Sequence, residues 1–166
     1  MDLLQNWDLL LFEPYLGVEI KDLFSSYING SKYGHCGFVI KQNGIYYCVS
    51  SLSKNEKNAF CITIEKLSKV FKSYQGQIWF RRLNYFDSFV SKFEDVVKTL
   101  KYKNISDVSE YSSSFVSYIY SNIGILNCQH NWKKCLTKDL SSEGKSLVLW
   151  FYNVKKEEKL HDDFFV

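Results

Sequence analysis

An α+β domain is the fold class this sequence predicts, and three features predict it. Short runs of alternating apolar residues fill the first half, an Asn-Gly pair separates two of them, and two later stretches carry apolar residues at helical spacing. With 166 residues, 46% hydrophobic and 17% aromatic, the chain can bury one good core, so residues 1–166 are read as a single domain. No repeat, low-complexity stretch or linker divides them.

The elements follow in order. WDLLLFEPY, closed by the only proline, Pro14, reads as a buried strand or a turn of helix, with strand preferred. Residues 19–29, EIKDLFSSYIN, set Ile20, Phe24 and Ile28 four apart before Gly30 and read as a short helix. HCGFVIKQNGIYYCVSSL holds two β-rich runs around Asn43-Gly44, a pair that supplies the positive φ angles of a tight hairpin turn. FCITIEKL places Phe60, Ile62 and Ile64 on one side, and GQIWFRRL places Ile78 and Phe80 on one face with Trp79 and Arg81 on the other; both read as strands. A helix fits residues 85–102, where Phe86, Phe89, Val90, Phe93, Val96, Val97 and Leu100 form one stripe. A second begins near Ser112–Ser114, with Phe115, Ile119 and Ile123 as its buried stripe and Gly124 near its end. SLVLWFYNV is the last expected strand.

Charge and cysteine usage narrow the function classes. Twenty-one basic against 18 acidic residues give a net charge of +3, too weak and too evenly spread to indicate a nucleic-acid partner. No run of about 18 apolar residues could span a bilayer, and the acidic start MDLLQNWDLLLFEP lacks the basic opening of a signal peptide. Five cysteines at irregular spacing suit reduced thiols, so a cytoplasmic setting is expected. Arg81 and Arg82 read as a solvated strand end or as a contact for an anionic partner. Cys128, His130 and Cys135 match no zinc module, so neither metal nor cofactor is expected.

The three serines of EYSSSFV carry the chemistry worth weighing. One serine explains itself as a helix cap, because its side-chain oxygen can accept from N–H groups that the first turn leaves unpaired. The alternative is that a helix N-terminus, with its partial positive charge, is a place for a nucleophile that must become an anion. YSSSFVSYIYSNIGIL resembles the Y-C-S-x-L-V-x-x-x-Y-x-x-x-G-I/L helix of the circularly permuted NlpC-type branch of the papain-like fold, a superfamily of cysteine amidohydrolases and acyltransferases. WDLLLFEP is similar to its G-D-x-x-x-F strand at Asp8 and Phe12, and YGHCGFVIKQNGIYYCVSS to its H-x-G-I-V-I strand and hairpin at His35, Gly37, Val39 and Ile40. IWFRRL and CLTKDLSS resemble two further motifs in the expected order, so the likeness covers residues 7–142.

What this resemblance implies is a papain-like (permuted NlpC-type) domain with an antiparallel sheet packed against helices. Such a site needs a thiolate, an imidazole base and a polar group to orient the imidazole. The resemblance puts the base at His35, the nucleophile at Ser112 and the orienting group at Ser50. Both serines depart from the pattern, which has cysteine at the first position and commonly Glu or His at the second. Cys36 adjoins His35 in a strand, where neighbouring side chains point to opposite faces, which disfavours a dyad between them. Two readings follow. One is a thiol-hydrolase homologue acting on a peptide, amide or acyl-ester substrate, its nucleophile lost in nature or exchanged from Cys to Ser. The other is a catalytically inactive structural or interaction protein with a protein partner, a component of a large DNA virus or its particle, in the host cytoplasm or the virion.

Overall fold

The computed structural model describes residues 4–15, 27, 30–54, 59–83, 112–123, 125–126, 132–143 and 156–161. They form six strands: β1 (Leu9–Pro14), β2 (His35–Gln42), β3 (Ile45–Lys54), β4 (Ala59–Lys66), β5 (Gly76–Arg81) and β6 (Glu158–Lys159). All pair antiparallel in one sheet of order β4-β3-β2-β1-β5-β6. Three helices accompany it, α1 (Leu67–Ser73), α2 (Ser112–Asn122) and α3 (Thr137–Leu140), with a 3-10 turn at Trp132–Lys134.

Central position explains the unbroken apolar run of β1. A strand covered on both faces has no solvent side on which to place polar residues, and Leu9, Leu10, Leu11 and Phe12 are all buried. Leu9 and Leu11 join one core with Cys36, Phe38, Val49 and the buried stripe of α2. Leu10 and Phe12 join a second core on the opposite face, with Val39, Cys48, Ile78, Phe80 and Leu67 of α1. The β2–β3 hairpin turns at Asn43 and Gly44, whose φ angles of 51° and 77° are those a two-residue turn of this hand requires.

Helix α2 lies against the first core. Phe38 sits 6.1 Å from Phe115 and 6.0 Å from Tyr120 between ring centroids, and the Tyr120 hydroxyl donates to the Trp7 carbonyl at 2.8 Å. These contacts fix the helix over β2, so its first residue, Ser112, has a defined place on the sheet.

The expectation of an α+β, papain-like (permuted NlpC-type) domain is overturned. The described residues build an open six-stranded antiparallel sheet with few short helices, of which α2 is the longest. The expectation packs an antiparallel sheet against helices, two of them at 19–29 and 85–102. Those stretches, Tyr27 aside, and the strand expected at SLVLWFYNV lie outside the described residues. Helix α1 was not anticipated, because the strand pattern of FCITIEKL runs on through Leu67 and conceals where the helix starts. Among the described residues, no helix is long and apolar enough to cross a membrane.

Candidate functional site

The site is a fork in the sheet. Strands β2 and β3 pair from the hairpin back to Gly37↔Ser50 and no further, while β3 stays with β4 to Lys54↔Ala59. Gly37 marks the divergence. A Cβ there would stand 2.7 Å from the Val49 carbonyl oxygen and 3.1 Å from Ser50 Cβ, so only glycine lets β3 approach this closely.

The first turn of α2 enters the opening. The Val39 N–H donates to the Asp8 carbonyl at 2.9 Å, so odd-numbered amides of β2 point at β1 and even-numbered ones at β3. The amide of Cys36 therefore points toward β3 just where the pairing has ended. Its acceptor is Ser112 Oγ at 3.1 Å, and the Cys36 thiol approaches the same oxygen at 3.7 Å. Ser112 thus spends its oxygen on β2 rather than on capping its own helix. Ser113 beside it is buried, its hydroxyl without a hydrogen-bond partner among the described residues.

His35 is next to Cys36 in sequence, but its ring lies elsewhere. It packs on Phe12, its cross-strand neighbour, at 5.3 Å between centroids, and Phe12 belongs to the second core, on the face away from α2. Burial lowers the His35 pKa to about 4, so the imidazole is neutral at pH 7. No hydrogen bond joins His35 to Ser112 among the described residues. Ser50 faces Gly37 across the ladder, on the face His35 occupies, and its hydroxyl is 3.0 Å from Thr63 Oγ1. The structure therefore brings Ser112 to Cys36, and pairs Ser50 with Thr63 rather than with an imidazole nitrogen.

Cys36 was passed over as a site residue, and the signal that could have found it is parity. If His35 faces one core, residue 36 must face the other, where the helix carrying Ser112 packs. Its thiol is held far above the usual range by burial, with the Ser112 hydrogen bond opposing, so it is protonated at neutral pH. Arg81 is not a solvated strand end. It is buried, its guanidinium 3.5 Å from the Glu157 carboxylate and donating to the Leu140 carbonyl at 2.5 Å. Arg82 lies 3.8 Å from Asp8, a fully buried carboxyl that also accepts from the Gln5 amide at 2.8 Å. Of the three residues considered for zinc, only Cys135 is among the described residues, and no group of three or more His, Cys, Asp or Glu among them is arranged to hold a metal.

Fold and site together define an open antiparallel sheet with a helix N-terminus seated in a fork between two strands. No protein-family model matches the chain, and no curated protein matches it. Among solved structures it is similar to that of the metalloprotein yiiX from Escherichia coli O157:H7, described as DUF1105, with a TM-score of 0.57. The match covers 95% of this chain and 96% of that one at 13% sequence identity, a likeness of fold alone.

Proposed function

We propose that the fork is a hydrolase-like site, that Ser112 stands where a thiol hydrolase has its nucleophile, and that the site binds without turning over. Its ligand is an amide, peptide or acyl ester, or a segment of a partner protein presenting such a group at the fork. A reducing, cytoplasmic setting suits the free thiols of Cys36, Cys48 and Cys135. The observation that carries the reading is the pair of contacts at Ser112: its oxygen accepts from the Cys36 amide and thiol, while the His35 ring rests on Phe12. A serine hydroxyl is a nucleophile only when a base takes its proton, and no base is aimed at this one among the described residues.

The test restores the missing sulfur. In Ser112→Cys, labelling by a peptidyl chloromethyl ketone should run at the rate of an ordinary buried thiol and should be unchanged by His35→Ala. Rapid labelling that His35→Ala abolishes would instead mean a competent dyad and an active hydrolase.

A further inference from the structure

Two strands over from the fork, Trp79, Tyr33 and Glu13 form three walls of a cage whose occupant is the ammonium of Lys32. Its Nζ lies 4.1 Å from the Trp79 ring centroid, 4.9 Å from that of Tyr33 and 3.3 Å from Glu13 Oε2. The walls do not depend on the occupant. Trp79 Nε1 donates to Glu13 Oε2 at 2.7 Å, which fixes ring and carboxylate against each other. Both side chains project from one face of the paired strands β1 and β5, two positions apart in register. Tyr33 is locked in the first core. Solvent reaches it, since the side chains of Lys32 and Glu13 keep 40% and 29% of their exposure.

Two aromatic faces and a carboxylate hold the Lys32 ammonium by cation–π contact and ion pairing while leaving it part of its hydration. They suit a cation whose charge is spread over methyl groups that touch the rings. We propose that this cage is a binding site for small alkylated ammonium ions, with Lys32 as its built-in competitor. The site stands on its own residues and is independent of any chemistry at Ser112.

The probe is tetramethylammonium chloride, titrated against sodium chloride at equal ionic strength and read from the Trp79 indole N–H resonance. In Lys32→Gln, and equally in Lys32→Ala, the resonance should move saturably, with at least about tenfold tighter binding than in the native chain. Adding Glu13→Gln to either variant should weaken it again. Equal affinity in native and variant chains, a drift that sodium chloride reproduces, or indifference to Glu13→Gln would each overturn the proposal.

Discussion

At the scale of single residues, burial decides protonation, and protonation decides what the candidate site can do. His35 has a folded-state pKa of about 4 against an ordinary value near 6.5, because burial disfavours the charged ring. Between those values the unfolded chain takes up a proton that the folded chain refuses. The stability His35 contributes is therefore whole above pH 6.5 and is lost as the pH falls toward 4. A loss on the order of 1 to 3 kcal/mol is expected over that window, absent in His35→Gln, and an NMR titration of the ring should give a midpoint near 4. A midpoint near 6.5 would mean an exposed ring. Asp8 acts with the opposite sign. Burial raises its carboxyl to about 7, outweighing its backbone hydrogen bonds and the neighbouring Arg82, so stability falls as the pH rises from about 4 to 7. Comparing His35→Gln and Asp8→Asn with the native chain separates the two contributions.

At the scale of elements, the fork depends on where one ladder stops. Gly37→Ala would drive a methyl group into the Val49 carbonyl and Ser50 Cβ, and neither the hairpin backbone nor the ladder can yield cheaply. Equilibrium denaturation should show a loss of about 1 to 3 kcal/mol, with the Cys36 amide losing protection from hydrogen exchange as Ser112 is displaced. Full stability with unchanged protection would mean that the glycine has no role in the divergence.

The elements themselves were legible where periodicity is local. The alternation of GQIWFRRL put Ile78 and Phe80 on one face and Trp79 on the other, as the two cores have them. Asn43-Gly44 marked the hairpin, and the stripe of Phe115, Ile119 and Ile123 marked α2. Non-local geometry was not legible. Nothing near Ser112 in sequence says that β2 and β3 part at Gly37, or that the amide left over will find this hydroxyl. The lysine cage draws on residues 13, 32, 33 and 79, which only the pairing of β1 with β5 and the packing of the loop before β2 bring together. The papain-like expectation went wrong for the same reason, since short motifs in order report local structure and do not count the strands of a sheet.

At the scale of the whole molecule, a buried ion pair joins parts of the chain that are far apart in sequence. Arg81 ends β5, binds Glu157 beside β6 and donates to the carbonyl of Leu140 in α3, while both oxygens of Glu157 take hydrogen bonds from Ser142. Two charges removed from water hold together only while each has its partner. Arg81→Ala should cost about 3 to 5 kcal/mol by chemical denaturation, whereas a loss under about 1 kcal/mol would place the pair in solvent.

The whole-molecule consequence of the fork is a site that holds its serine as an acceptor. Intact-mass spectrometry of the native protein after exposure to an activated ester tests this most directly. The expected result is no acyl adduct on Ser112 beyond the level seen in His35→Gln. A stoichiometric adduct on Ser112 that turns over, and that disappears in His35→Gln, would contradict it.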